Sequence, residues 1–531
     1  MKNNVFDLKN MDSLRELADE VLEKKNKPED EYEITALLES SGWGDKRAQD
    51  TYGFENVFEL AKMLWKIIQR RRVFTPFTPM SKINIKQYPL MFFRHFLKGS
   101  IFALPMAISV FAMLTIRFSL WSYESFNVEI VTSIAIGTIL SFVCIGGFTQ
   151  AIAKQGYGYI RQGYFNMARQ TTFYFVRLGY FLSVAVVLTL VIGNLVFGIF
   201  PFRMLILIVA YYFILNAIWL SVTIMYILER EMIFSGLLIL GIIIIFVLFR
   251  LIGIDIIPSQ LIALTFIAIL GAFTAWASFV ALGKGVVNKG IQPKLPRKTV
   301  ILNSTGSYFL YGFSYFAYLF TDRVIAWSTD DIYMPFIIWF RGEYELGLDF
   351  ALLILIIPMG VVEFIVNEMM VSIAGTQKDY FGYEVDKMYK RYFTTYWWRI
   401  ILIVFVSFFS GILVHRLLIL VLNNAIPIVN IAISQITYFV FIVALFGYAL
   451  TAVGLLNIEI LFCLGQPKLA NKCVIPALLV NILVGFLLSR WINYYYAVFG
   501  LLAGALTFVG TSIYMIRKVL KKIDYYLYVA T

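Results

Sequence analysis

The chain has 531 residues, of which 60% are hydrophobic and only 15% are charged. Soluble domains carry about a quarter charged residues, so this composition argues against a soluble protein and predicts an all-α polytopic membrane protein. The formal charge of +12 is accordingly attributed to loops at one membrane face, and no nucleic-acid partner is expected. The three cysteines lie in or beside apolar runs, which predicts no disulfide framework.

Residues 1–95 are predicted to form a small helical cytosolic module with a connection to the membrane. Apolar residues at helical spacing predict helices near 11–22, 31–40 and 57–68, and the turn Gly42-Trp43-Gly44-Asp45 separates the last two. Prolines then mark an extended connection. The first apolar run begins only near residue 99, so we expect no cleavable signal.

Twelve apolar runs of about the 20 residues that a bilayer requires follow the module, and we interpret them as two lobes of six transmembrane helices. The predicted lobes are residues 96–282 and 300–531, the second with a short cytosolic tail, and a basic cytosolic linker at 283–299 separates them. The runs lie at approximately 100–120, 129–150, 173–197, 203–226, 233–252, 258–282, 301–322, 346–371, 399–421, 434–462, 473–490 and 496–517.

Loop charges predict the orientation of these spans. Lysine and arginine collect in alternate loops, in the linker and in the tail, whereas the opposite loops are short and carry acidic residues. Because cytoplasmic loops are enriched in basic residues, both termini are expected in the cytosol.

The seventh predicted span carries a stripe of tyrosines. At about 100° per residue, Tyr308, Tyr311, Tyr315 and Tyr318 fall on one helix face that leads to Asp322, with a phenylalanine face roughly 150° away. The stripe extends over roughly 15 Å, whereas an aromatic belt occupies one depth. Packing is one interpretation; we favour a polar wall of a substrate path, because tyrosines offer flat rings and hydroxyls to sugars. Asp322 lies at the outer end of this span, so we expect no mid-membrane ion site there.

Other polar and kinking residues fall inside the spans. Glu363 and Asn367 are four apart on one face of the eighth span, and we expect them to line a cavity or gate, with a structural ion pair as the alternative. Pro105 and Pro358 free backbone carbonyls in the first and eighth spans and are predicted hinges.

Four arginines lie near predicted span ends. Each has a stem long enough to carry its charge to the lipid headgroups, which is the role we expect of them. They are Arg117, Arg177, Arg250 and Arg399.

The sequence offers little for catalysis. The phosphate-binding motif G-x-x-x-x-G-K-[ST] does not occur, and the two histidines, His95 and His415, lie far apart without cysteines at ligand spacing. We therefore predict no enzyme activity, no cofactor and no metal. Asp330 and Asp331 leave a membrane glycosyltransferase as a remote alternative to a pair of solvated loop acids.

Three stretches are similar to a known family. Phe320-Thr321-Asp322-Arg323-Val324-Ile325-Ala326-Trp327 resembles an Asp-basic-x-x-x-Trp pattern, and it is accompanied by the acidic Val362-Glu363-Phe364 and by a closing region from Leu455 to Tyr525. Over residues 90–525 the chain resembles the MOP superfamily of MATE drug exporters and polysaccharide flippases. Within it, the resemblance is to PelG-like exopolysaccharide exporters.

The resemblance implies a MATE-like fold and a transporter in the bacterial cytoplasmic (inner) membrane. The implied cargo is an exopolysaccharide of a biofilm matrix or its lipid-linked precursor, and the implied partners are a cytosolic glycosyltransferase or synthase and other membrane secretion subunits. Asp322, Arg323 and Trp327 carry over as candidate functional positions. A cation-coupled MATE-type exporter of small molecules is the alternative function.

Overall fold

The structure is a computed structural model in which residues 2–25, 28, 30–72, 88–101, 104–123, 125–285, 296–329, 337–376, 385–422, 434–523 and 525–526 are described. These ranges contain eighteen α-helices and no β-strand. The helices are α1 Lys2–Lys24, α2 Glu31–Ser40, α3 Asp45–Tyr52, α4 Val57–Arg72, α5 Tyr88–Ile101, α6 Leu104–Ile116, α7 Val128–Arg161, α8 Phe165–Phe197, α9 Phe202–Ile227, α10 Glu231–Phe246, α11 Ile256–Gly285, α12 Lys298–Trp327, α13 Gly342–Leu352, α14 Ile356–Thr376, α15 Val385–Leu422, α16 Gln435–Cys463, α17 Pro467–Trp491 and α18 Val498–Leu520.

The all-α polytopic fold expected from composition is confirmed. Ten helical segments within the described ranges are long and apolar enough to cross a membrane. The seventh predicted span, α12, is not among these ten. Its 30 residues extend over about 45 Å, which is long enough, but its hydroxyl side chains lower its mean hydropathy. The first predicted span is divided between α5 and α6, and Pro105 is the second residue of α6, where a missing N–H costs no helical hydrogen bond.

Helices α1 to α4 pack around a small apolar core of their own. Leu17, Ile34, Leu60 and Leu64 are among the buried side chains of this core. Asp30 accepts a hydrogen bond from the Glu33 N–H at 2.9 Å and so caps the start of α2. The sequence prediction missed α3 because its segment, DKRAQDTY, has no apolar periodicity.

Two apolar cores lie in the first lobe, and one very large core fills the second. In the first lobe, α7 and α9 form the central pair, and α11 packs against α9. In the second lobe, α12 and α16 pack against the hairpin of α17 and α18. Helix α8 exposes large side chains such as Phe181, Leu188 and Leu195, as expected of a helix that faces lipid.

The lobes meet where α7 runs antiparallel to α12. The Gln155 side chain donates to the Ser304 hydroxyl at 2.8 Å near one end, and the Phe340 N–H donates to the Thr132 hydroxyl at 3.2 Å near the other. Between them, a Cβ on Gly312 would lie only 2.7 Å from the backbone carbon of Gly146. Glycine is therefore needed for the two backbones to approach so closely.

A second contact between the lobes joins α5 to α14. A Cβ on Gly99 would lie 2.9 Å from the Gly360 Cα, and the Phe92 and Phe364 rings are 5.0 Å apart. Because α6 packs on α10 of the first lobe, the two halves of the first predicted span contact different lobes.

The eighth predicted span is broken beside Pro358. A 3₁₀ turn at Leu353–Leu355 separates α13 from α14, and Pro358 is the third residue of α14. Proline cannot donate to the carbonyl four residues earlier, which is that of Ile354. The Ser410 hydroxyl of α15 donates to that carbonyl at 2.8 Å, so the freed acceptor is satisfied inside the bundle.

We predict that Gly312→Ala destabilises the protein, because the added methyl group meets backbone atoms of Gly146 that cannot rotate away. The expected cost is about 1–3 kcal/mol, measured as a lower thermal unfolding temperature of the purified protein in detergent. Gly306→Ala on the same helix is the matched control, since its methyl group would meet no atom within 4 Å. Equal unfolding temperatures for the two variants would contradict the close approach.

Candidate functional site

The two faces of α12 contact different lobes. The phenylalanine face packs on α7: the Phe309 ring is 5.0 Å from Phe148, and the Phe316 and Phe320 rings are 5.5 and 5.4 Å from Phe142. The tyrosine face is directed into the second lobe instead.

Three of the four tyrosines are buried, with Tyr308 at 6%, Tyr311 at 3% and Tyr318 at 0% exposure. The Tyr318 hydroxyl lies 3.0 Å from that of Thr451 on α16. Tyr315 is half-buried and stacks on Tyr311, their ring centroids 5.9 Å apart. The stripe is therefore largely a packing surface in this conformation, and its place in a substrate path stays a prediction, with Tyr315 as its most accessible member.

The carboxyl-terminal part of α12 carries a buried ionic network. Arg323 is 7% exposed and forms an ion pair with Glu345, and both of its terminal nitrogens donate to Asp349 Oδ1 at 3.1 Å. The Trp327 indole N–H donates to the other oxygen of Glu345 at 2.9 Å. One guanidinium thus joins two carboxylates from successive turns of α13, a geometry that lysine cannot reproduce.

Asp322 belongs to the same network through Tyr344. The Tyr344 hydroxyl donates to Asp322 Oδ2 at 2.9 Å, and both side chains are 0% exposed. Asp322 Oδ1 has no hydrogen-bond partner among the described residues. Asp322 lies five residues before the end of α12 at Trp327, and its carboxyl group is enclosed by protein; its place at the outer membrane face stays a prediction.

The charges of this network do not balance. Asp322, Glu345 and Asp349 surround the single guanidinium of Arg323, and only Asp349, with a side chain 46% exposed, reaches the surface of the cluster. Buried carboxylates in excess of their counter-charges are unfavourable unless a proton, a cation or water compensates them.

A further arginine holds the end of α12 in place. Arg490 of α17 donates to the Ser328 carbonyl at 2.6 Å, to the Thr329 hydroxyl at 2.6 Å and to the Ile325 carbonyl at 3.2 Å. A cation at a helix C-terminus satisfies free carbonyls and interacts favourably with the helix dipole.

Glu363 and Asn367 lie on α14, apart from this network. Asn367 and His95 of α5 are hydrogen-bonded at 3.2 Å between Nδ2 and Nε2, so Asn367 lies at the contact between the lobes. Glu363 is half-buried and lies within electrostatic range of Glu459 on α16. Their predicted cavity-lining role remains untested.

One of the four arginines near predicted span ends forms an ion pair with a neighbouring helix. Arg399 of α15 forms an ion pair with Glu368 of α14, and both side chains are about one-fifth exposed. This acidic partner lies on the preceding helix and is invisible to local sequence patterns, and the position of Arg399 at the headgroups stays a prediction.

Sequence reasoning also missed Tyr344 and Glu345. The signal was present in the stretch Glu345 to Asp349, where two acids four apart share one helix face within an apolar segment. Within the described residues, no group of three or more His, Cys, Asp or Glu side chains could hold a metal ion. Asp330 and Asp331 lie outside the described residues.

No family model and no curated protein matches this sequence. Solved structures share its fold. A single-residue mutant of VcmN, a Vibrio cholerae MATE transporter, aligns with a TM-score of 0.57 at 13% identity, over 82% of this chain and 98% of that one. An outward-facing multidrug resistance MATE transporter of the MOP superfamily aligns with a TM-score of 0.54 at 12% identity, over 81% and 96%. The fold is that of MATE transporters, and about a fifth of this chain has no counterpart in them.

We predict that Arg323→Ala strongly destabilises the protein, because it leaves the buried Glu345 without its counter-charge and also removes the ion pair with Asp349. The expected loss is about 3–5 kcal/mol, read as a lower unfolding temperature or a lower folded yield in membranes. Adding Glu345→Gln to Arg323→Ala should restore part of the loss. Arg177→Ala, at an exposed arginine of α8, is the control; a similar loss there would contradict a specific network.

Proposed function

We propose that this chain is a transporter that exports an exopolysaccharide, or its lipid-linked precursor, across the bacterial cytoplasmic membrane in a Pel-type secretion system. The MATE-type fold supports membrane export. The observation that carries the polysaccharide assignment is that Asp322, Arg323 and Trp327, the positions of the exporter-like pattern, all belong to one buried network. Such a shared network is expected if the three residues of the pattern act together in the function of the second lobe.

The transport path in this proposal lies between the lobes and is lined by the first, second, seventh and eighth spans. The contacts of α7 with α12 and of α5 with α14 involve these spans. Rocking of one lobe against the other would expose the path to either side. A short lipid-linked unit suits such rocking, whereas a growing polymer would be passed along the path while a synthase pushes it; both cargoes remain within the proposal.

Both termini are placed in the cytosol in this proposal, and the module of α1 to α4 offers a docking surface for a cytosolic glycosyltransferase or synthase. The module has its own apolar core and so can keep its shape while the lobes move. The chain itself contributes no sugar-transfer chemistry, and the bond-forming step belongs to the partner enzyme.

A cation-coupled exporter of small molecules is the second candidate. The observation that favours it is the complete burial of Asp322, which was not expected from its place near a helix end, together with the unpartnered Oδ1 in the described structure. Buried acids of transporter helices are common sites of ion and proton coupling.

Deleting the gene separates these two functions. Under the leading proposal, secreted polysaccharide is lost and drug sensitivity is unchanged, because the cargo is the matrix glycan. Both are measured in the same strains, with the intact gene restored on a plasmid as the control. Unchanged polysaccharide with increased drug sensitivity would reject polysaccharide export in favour of the small-molecule exporter.

Substitutions of Tyr315 and Tyr318 test whether the tyrosine stripe lines the substrate path. The Tyr315 hydroxyl makes no hydrogen bond to a described residue, so Tyr315→Phe should lower export several-fold by removing a sugar contact while leaving the unfolding temperature unchanged. Tyr318→Phe removes the hydrogen bond to Thr451 and should cost about 0.5–1.5 kcal/mol of stability. Normal export by Tyr315→Phe would contradict a substrate contact and would support packing as the role of the stripe.

A further inference from the structure

A cleft outside the lobe interface is lined by two arginines. It encloses about 320 Å³ between the end of α6 and the end of the α10 segment, and its walls are Thr115, Ile116, Arg117, Phe118, Phe246 and Arg250. Both arginines are exposed. In the predicted orientation, the ends of α6 and of the α10 segment lie at the outer membrane face.

The loop that carries Arg117 is held by buried polar groups. The Gln260 side chain, 0% exposed, donates to the carbonyls of Ser119 and Ser122 at 3.0 and 3.1 Å and accepts from the Tyr211 hydroxyl at 2.8 Å. Arg117 itself has a φ of +66°, a left-handed conformation that is uncommon for a residue with a side chain. Such strain persists only where the surroundings impose it, and it is concentrated at functional sites.

Arg250 is positioned by a second irregular feature. Helix α10 continues into a π-helical segment, Val247–Ile252, which shifts the register of the side chains it carries. The Phe249 ring packs against Phe118 and Tyr123, with centroids 5.9 and 5.5 Å apart. The two arginine-bearing segments are thereby fixed relative to each other, and Arg250 has no ion pair with a described residue.

We propose that this cleft binds the phosphate group of a membrane lipid. Two guanidinium groups provide the planar, permanently charged donors that suit phosphate oxygens. The Ile116 and Phe246 side chains offer apolar surface on which an acyl or isoprenyl chain can lie. The phosphate belongs either to a bulk phospholipid or to the carrier lipid of a glycan, since both present the same group.

Native mass spectrometry of the purified full chain tests the proposal with four probes: phosphatidylglycerol, a polyisoprenyl phosphate, diacylglycerol and inorganic phosphate. We expect a phosphate-bearing lipid to bind and diacylglycerol not to bind. Tighter binding of phosphatidylglycerol assigns the site to bulk phospholipid, and tighter binding of the polyisoprenyl phosphate assigns it to the carrier lipid. Equal affinity for inorganic phosphate, or equal affinity for diacylglycerol, would overturn the lipid-phosphate site.

Two variants locate the binding in the cleft. Arg250→Gln removes one guanidinium, and Arg117→Gly removes the other while allowing the positive φ; each should weaken binding of the preferred lipid by about tenfold. Arg203→Gln, at an exposed arginine that begins α9 on the same membrane face, should change it less than about twofold. If Arg250→Gln binds as tightly as the parent protein, the proposal is wrong, whatever the folded yield of Arg117→Gly.

Discussion

The ion pairs of Arg323 with Glu345 and Asp349 are the constraint on which the second lobe depends. Each of these charges would be costly inside a helical bundle by itself, and together they are tolerated because one planar guanidinium serves both acids. The same contact attaches the short helix α13 to α12. The following turn at Leu353–Leu355 separates α13 from α14, and α13 packs closely on α16, where a Cβ on Gly347 would lie 2.7 Å from the Thr437 carbonyl oxygen.

Helix α12 therefore has two physical tasks on opposite faces. One face packs inside the second lobe through tyrosines, of which Tyr318 is hydrogen-bonded to Thr451. The other meets the first lobe through phenylalanine rings and through the close approach of Gly312 to Gly146. An apolar contact with few directional bonds can part and re-form at low cost, whereas the polar face keeps α12 attached to its own lobe. This division fits a helix at the edge of a rigid body that moves against another.

Much of the architecture follows from local physical chemistry. A continuous apolar run in a bilayer has to satisfy its backbone internally, so the number and approximate bounds of most spans are readable from hydropathy. Hydropathy predicts the spans least well where polar residues or helix breaks interrupt an apolar run. The hydroxyl-rich α12 falls below the hydropathy of its neighbours, and the first span is two helices in contact with different lobes. The broken eighth span was indicated by Pro358, but the group that satisfies the freed Ile354 carbonyl, Ser410, is 56 residues away.

By itself the sequence determined the class of protein, the tyrosine and phenylalanine faces of α12, and the positions of Asp322, Arg323 and Trp327. These depend on composition and on the 3.6-residue period, which act over neighbouring residues. Only the tertiary structure decided which way each face points and which acids Arg323 meets. It also decided that Arg117 and Arg250, which are distant in the chain, share one cleft. Those outcomes depend on contacts between distant helices, and the period of a single helix contains no information about its partners.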